Sequence, residues 1–248
     1  MHFHSERRLD GDVLERYFRL GEIPGILWTP GSTPAPLILA GHPGGLDGMY
    51  PRLLDRAAHA AQHGFATLSI ELPGGGDRAR VPALERARAD LRAALTAGDP
   101  VGGIVNALVL PLVELAVPEW QAALDAALSL PEIDDGPVGF SGGVIAIGIR
   151  LAVVEPRIAA ALLFAGSYVP RSMFEEARRV AIPLHVLLQW DDAGNDRQLA
   201  LDLFDAFGSA EKTLHANLGG HTGVPAFEAD ASIGFFLRHL GRRDQEPK

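Results

Sequence analysis

Cysteine is absent from the 248 residues of this sequence. Its absence excludes disulfide bonds, a thiol nucleophile and cysteine-ligated metal sites. Basic residues are also few, since 22 lysines and arginines stand against 31 aspartates and glutamates, which gives a formal net charge of -9. Because nucleic-acid binding normally needs a basic surface, the sequence predicts no nucleic-acid partner.

Long hydrophobic runs are missing as well. The most apolar stretch, residues 102–117, is interrupted by Asn106, Pro111 and Glu114, and it is shorter than the roughly 20 residues that span a bilayer. The first residues, MHFHSERRLDGD, lack the apolar core of a signal peptide. These features predict no membrane span and a cytoplasmic location.

Short apolar runs alternate with segments of helical periodicity, and no repeat or linker divides the chain. The runs interpreted as strands are 13–20, 25–30, 36–41, 65–72, 137–140, 159–166, 183–190 and 213–218. The segments interpreted as helices are 51–63, 82–97, 118–129, 143–154, 197–207 and 226–240. Apolar strands between amphipathic helices are typical of a parallel sheet that is covered on both faces. We therefore predict one α/β domain over 1–248, a doubly wound, mostly parallel sheet with an N-terminal antiparallel hairpin.

The carboxyl ends of the strands are where such a sheet places its functional residues. Gly139-Phe140-Ser141-Gly142-Gly143 follows one strand and precedes an apolar helix. It matches the G-x-S-x-G nucleophile elbow, whose serine lies on a strained turn between a strand and a helix. A glycine-rich helix cap with a serine N-cap is the structural alternative. The strand-turn-helix context predicts that Ser141 is a nucleophile.

Gly219-Gly220-His221 lies between the last predicted strand and the C-terminal helix. Histidine suits the role of general base to a serine at neutral pH, so we predict His221 as the base. His42 also follows a strand, and we expect it to shape its loop by hydrogen bonding. The other seven histidines fall in the N-terminal tail, in helices or inside strands, which favours packing or exposure: His2, His4, His59, His63, His185, His215 and His239.

Asp191-Asp192 follows the strand 183–190 and supplies a carboxylate that could orient the base. The chain order Ser, Asp, His is the order found in hydrolases with a nucleophile elbow. One aspartate of the pair is expected to serve the turn instead, and Asp196 could cap the helix that starts near Arg197.

Gly41-His42-Pro43-Gly44-Gly45 follows the strand 36–41. In the nucleophile-elbow fold, the loop after the third strand and the residue after the nucleophile each supply one N–H to the oxyanion. Pro43 has no N–H. We therefore predict an oxyanion hole of Gly44 and Gly142, with Gly45 as the alternative to Gly44 and a plain glycine turn as the structural alternative.

With these motifs in this order, the sequence resembles the α/β-hydrolase superfamily, and within it the dienelactone-hydrolase-like and acyl-esterase-like proteins. The resemblance covers nearly the whole chain. In many relatives Val-Pro stands three and four residues after the acid, where Asn195 and Asp196 follow Asp192 here. This alignment with the relatives favours Asp192 over Asp191 as the triad acid. Dienelactone hydrolase itself uses a cysteine nucleophile, so dienelactone specificity is not implied.

The resemblance implies a carboxylic-ester hydrolase that works through an acyl-enzyme on a small-molecule acyl substrate. It implies no cofactor, and we expect no metal because cysteine and dense carboxylate clusters are lacking. The same triad would also serve a peptide, a lactone or a thioester. A catalytically silent scaffold used for binding is the alternative from another class.

An insertion at roughly 73–136 is longer than one crossover helix requires. It contains the apolar stretch 102–117, which must be covered. The insertion could cap the active site, line an acyl pocket or form a homodimer interface, and a helix packed on the core is the structural alternative.

Overall fold

The computed structural model describes residues 1–165 and 168–241, so the last residue of the predicted strand 159–166 lies outside it. Its strands are β1 His2–Leu9, β2 Val13–Leu20, β3 Ile23–Thr29, β4 Leu37–Gly41, β5 Ala66–Ile70, β6 Val138–Gly142, β7 Ile158–Phe164, β8 Leu184–Gln189 and β9 Lys212–Asn217. Its α-helices are α1 Leu46–Gln62, α2 Pro82–Ala97, α3 Gly102–Leu128, α4 Ile145–Val154, α5 Phe174–Ala177, α6 Arg197–Ala206 and α7 Phe227–Leu240.

These strands form one mixed sheet in the order β1-β2-β3-β5-β4-β6-β7-β8-β9. The first three strands and the β3–β5 pair are antiparallel, and all pairs from β5 to β9 are parallel. The predicted doubly wound, mostly parallel sheet is confirmed, because its strands are buried on both faces and read as apolar runs.

The N-terminal hairpin is one strand larger than predicted. Residues 2–9, interpreted from sequence as a tail, form β1 and pair with β2 along its length. Most side chains of β1 are exposed, so this edge strand lacks the alternation of apolar and polar residues that marks a half-buried strand. His2 and His4 therefore lie in a strand rather than in a tail.

Side chains of β6 alternate between two helical layers. Phe140 faces α3, where its ring meets Trp120 edge-on with centroids 6.1 Å apart. On the other face Gly139 lies against α7, and Ser141 is hydrogen-bonded to Arg56 of α1. The central strand thus places Ser141 on the α1 and α7 side of the sheet.

The apolar stretch 102–117 is the first part of α3, which continues through Pro118 to Leu128. By length and composition alone, α3 could cross a membrane. In the structure its buried side chains, including Val113, Trp120 and Leu124, belong to the main hydrophobic core. The insertion thus contains a helix packed on the core, and its further role as cap, acyl-pocket lining or dimer interface stays a prediction.

Replacing Trp120 with alanine should destabilise the protein by about 3–5 kcal/mol, the cost typical of deleting a fully buried large aromatic side chain. Urea unfolding followed by circular dichroism measures this change. Leu115→Ala on the same helix is the control, because Leu115 is 43% exposed and should shift stability by about 0.5 kcal/mol or less. Equal losses in both variants would contradict this packing of α3.

Candidate active site

Asp192 and His221 form a hydrogen-bonded pair beyond the carboxyl ends of β8 and β9. His221 Nδ1 lies 2.6 Å from Asp192 Oδ2, and the N–H of Gly194 donates to Asp192 Oδ1 at 3.0 Å. The Asp192 side chain is buried, whereas that of His221 is 56% exposed. With Nδ1–H held by the carboxylate, Nε2 is the nitrogen that can accept a proton from a substrate or a nucleophile.

Asp191 has a different role from its neighbour. Its exposed carboxylate accepts hydrogen bonds from the backbone N–H groups of Gly219 and Gly220, at 3.0 and 2.9 Å. These N–H groups, that of Gly220 first, lower the pKa of Asp191. Asp191 therefore holds the backbone of the loop that carries His221, while Asp192 holds the imidazole itself.

Asn195 and Asp196, which stand where many relatives have Val-Pro, make structural hydrogen bonds. Asn195 Nδ2 donates to the carbonyl of Ala165, just beyond β7, at 2.9 Å. Asp196 is the N-cap of α6 and accepts from the N–H of Leu199 at 3.1 Å, as predicted. The loop after Asp192 is thus fixed at its far end without that dipeptide.

Ser141 is buried in β6, where it lies beside Ala40 of β4 and Leu162 of β7. Its Oγ accepts a hydrogen bond of 2.7 Å from Arg56 Nη2, and the same nitrogen donates to the Ser141 carbonyl at 2.9 Å. Among the described residues, no hydrogen bond joins Ser141 to His221. The structure therefore brings the predicted acid and base together and leaves the predicted nucleophile with Arg56.

The strained position of the turn is Gly142 rather than Ser141. Ser141 has ordinary strand geometry, whereas Gly142 has φ +113°, and α4 begins only at Ile145. A Cβ on Gly142 would lie 2.5 Å from the Gly41 carbonyl oxygen. Because glycine alone fits this close approach, the chain turns there, one residue later than the elbow motif predicts.

The hydrogen bond between Arg56 and Ser141 could not be predicted from the sequence. Arg56 lies on α1, which begins at Leu46 instead of residue 51, and the residue as a whole is exposed. An arginine on a surface helix normally marks a solvated face, and its long side chain allows the guanidinium to reach an unrelated strand. Neither its position nor its spacing in the sequence indicates a contact with Ser141.

The loop after β4 contains the predicted oxyanion residue Gly44, which is half-buried. His42 is buried, its Nε2 lies 2.9 Å from the Ile70 carbonyl oxygen, and burial lowers its pKa. His42 is thus a neutral ring that joins its loop to the end of β5. Gly41 and Gly142 are register partners in β4 and β6, so the loop with Gly44 leaves the sheet close to Gly142, and the oxyanion role of Gly44 and Gly142 stays a prediction.

Comparison with solved structures identifies proteins of similar fold over nearly the whole chain. A cold-adapted esterase from an Arctic intertidal metagenomic library is 27% identical, with a TM-score of 0.74 over 97% of this chain and 100% of the esterase. No protein-family model matches the sequence, and no curated protein matches it.

Two further structures share the fold at lower identity. Acetyl xylan esterase 1 from Thermoanaerobacterium is 14% identical, with a TM-score of 0.64 over 96% of this chain and 87% of the enzyme. Dienelactone hydrolase from Anabaena variabilis is 19% identical, with a TM-score of 0.59 over 95% of this chain and 98% of the enzyme. The predicted resemblance to the α/β-hydrolase superfamily is confirmed at the level of the fold.

Gly142→Ala should destabilise the protein, because the new Cβ would meet the Gly41 carbonyl and left-handed backbone at this position is strained for alanine. The expected loss is at least about 1–3 kcal/mol in the free energy of unfolding, measured by urea denaturation. Gly48→Ala in α1 is the control, since no atom lies within 4 Å of its new Cβ; it should be neutral or stabilising by about 0.5–1 kcal/mol. A neutral Gly142→Ala would contradict the close contact of β4 with the turn.

Proposed function

We propose that this chain, with its α/β-hydrolase fold, is a serine hydrolase that cleaves a carboxylic ester of a small molecule through an acyl-enzyme. The hydrogen bond between Asp192 and His221 carries the proposal, because it leaves an exposed imidazole with one nitrogen ready to accept a proton. The 27% identical esterase, which this chain matches over nearly its full length, supports ester hydrolysis. A cytoplasmic location and a homodimer stay predictions from the sequence.

In the proposed reaction, His221 Nε2 takes the proton of Ser141 as Oγ attacks the ester carbonyl. Asp192 stabilises the imidazolium that forms, and the N–H groups of Gly44 and Gly142 bind the oxyanion. His221 then gives its proton to the leaving alcohol. Water, deprotonated by the same nitrogen, hydrolyses the acyl-enzyme and restores Ser141.

The first step requires the Ser141 hydroxyl to exchange Arg56 for His221. Arg56 is exposed as a residue, but its guanidinium is desolvated where it contacts Ser141 Oγ, and this burial lowers the pKa of Arg56 to about 10. Withdrawal of the guanidinium into water breaks hydrogen bonds that solvent can replace. We infer that the described arrangement is a resting state, with the acid and base already assembled and the serine held apart.

A silent α/β-hydrolase scaffold is the second candidate. The observation that favours it is the same contact, since Ser141 is hydrogen-bonded to a cation and not to the base. The two candidates differ in one property, which is whether Ser141 can become a nucleophile. Covalent labelling tests that property without knowledge of the substrate.

Wild-type protein should react with a fluorophosphonate probe and hydrolyse an activated ester such as p-nitrophenyl acetate, and Ser141→Ala should do neither. Intact-mass spectrometry and release of p-nitrophenol measure the two reactions. Ser69→Ala is the matched control: Ser69 is a buried serine of β5 that donates to the Ala40 carbonyl at 2.7 Å. A labelled Ser141→Ala protein would place the nucleophile elsewhere, and an unlabelled wild type would favour the silent scaffold.

Asp192→Asn should lower kcat/KM for the activated ester by roughly 10³ to 10⁴-fold, because the amide no longer holds His221 in the reactive tautomer. Asp191→Asn should lower it by less than about tenfold, since an amide oxygen can still accept a hydrogen bond from the loop backbone. Steady-state kinetics at matched folded concentration give the ranking. A larger loss in Asp191→Asn would show that the wrong aspartate is assigned to the base.

A further inference from the structure

Three side chains that the proposed reaction does not use converge beside the loop that carries His221. His185 of β8, His215 of β9 and Glu228 of α7 each direct one possible ligand atom toward the others, and these atoms lie within 4.8 Å of one another. His185 and Glu228 are buried, while His215 is partly exposed. From sequence the two histidines are expected to pack inside strands, and the sheet brings them next to a helix residue.

One nitrogen of this cluster has no hydrogen-bond partner although it is buried. His185 is 3% exposed, and its Nε2 lies 3.7 Å from Glu228 Oε2 without a hydrogen bond. The other nitrogen, Nδ1, lies 3.2 Å from Thr213 Oγ1. When Nδ1 donates to Thr213, Nε2 carries a lone pair directed at the carboxylate, which a cation between them would satisfy.

The distances within the cluster are close to those of a metal site. Two ligands about 2.1 Å from a tetrahedral zinc ion are about 3.4 Å apart, and His185 Nε2 and Glu228 Oε2 are 3.7 Å apart. His215 Nδ1 is 2.9 Å from Glu228 Oε2, so this hydrogen bond must open slightly and lose its proton. Asn217 Nδ2, which donates to Glu228 Oε1 at 2.8 Å, would orient the carboxylate.

We propose that His185, His215 and Glu228 bind a divalent transition-metal ion such as zinc, with water from the exposed side of His215 completing its coordination. The ion would join β9 to the first turn of α7, and the loop 218–226 between them carries His221. A metal ion at this position would therefore fix both ends of that loop to β8, the strand that leads to Asp192.

The binding test uses full-length protein freed of metal with a chelator and then titrated with zinc chloride alone. Isothermal titration calorimetry should show about one zinc per chain, and His215→Gln and Glu228→Gln should each weaken binding by more than about tenfold. His63→Gln is the matched control, because His59 in the last turn of α1 and His63 just after the end of α1 have ring centroids 5.0 Å apart, and surface pairs of this kind also attract zinc. His63→Gln should bind as the wild type does.

No zinc binding, or binding that His63→Gln abolishes and His215→Gln leaves unchanged, would overturn the proposed site. Circular dichroism of each metal-free variant establishes folding, and His215→Gln, at a partly exposed position, carries the test if Glu228→Gln does not fold. Hydrogen exchange tests the effect on the loop: zinc should slow exchange of amides in 218–226 in the wild type and not in His215→Gln. Unchanged exchange in zinc-bound wild type would overturn the fixing of the loop. Neither calorimetry nor hydrogen exchange requires hydrolysis, so the outcomes of both are independent of the proposed function.

Discussion

The hydrogen bond between Asp192 and His221 links the loops that follow two neighbouring parallel strands. The β8–β9 register runs from Leu184 opposite Lys212 to Gln189 opposite Asn217, so both loops leave the sheet at the same height. Two adjacent carboxylates then act on different parts of one loop. The exposed Asp191 binds backbone N–H groups, and the buried Asp192 binds the imidazole. Since a buried carboxylate needs hydrogen-bond donors, this arrangement stabilises the loop and orients the His221 ring at the same time.

On the other side of the site, the geometry depends on glycine. Gly41 and Gly142 lie opposite each other at the ends of β4 and β6, and the absence of Cβ atoms lets the two backbones approach closely. The turn therefore falls at Gly142, and Ser141 remains within the sheet, within reach of Arg56 from α1. The Ser141 hydroxyl is thus bound by a guanidinium from α1, while the His221 imidazole lies on the loop after β9.

Most of the fold could be predicted because its central strands are buried on both faces and read as apolar runs between amphipathic helices. The exceptions have physical causes. The polar edge strand β1 has no apolar pattern. Pro51 and Pro118 stand at predicted helix starts, but they lie inside α1 and α3, which begin at Leu46 and Gly102. The hydrogen-bonded pair of Asp192 and His221 could be predicted from chain order at strand ends. Arg56 could not, because nothing local in a sequence indicates where a long exposed side chain ends.

The loop with His221 also shows why contacts between a strand and a helix cannot be predicted from the periodicity of the strand. Alternation along a strand tells which residues share a face, but it does not tell which helix residue covers them. His215 and Asn217 share one face of β9, and both contact Glu228, the buried acid in the first turn of α7. Asp191 holds the start of the loop and Glu228 holds its end. An exposed histidine on a glycine-rich loop can therefore be well positioned, because the polar contacts that fix the loop lie at the strand and helix on either side.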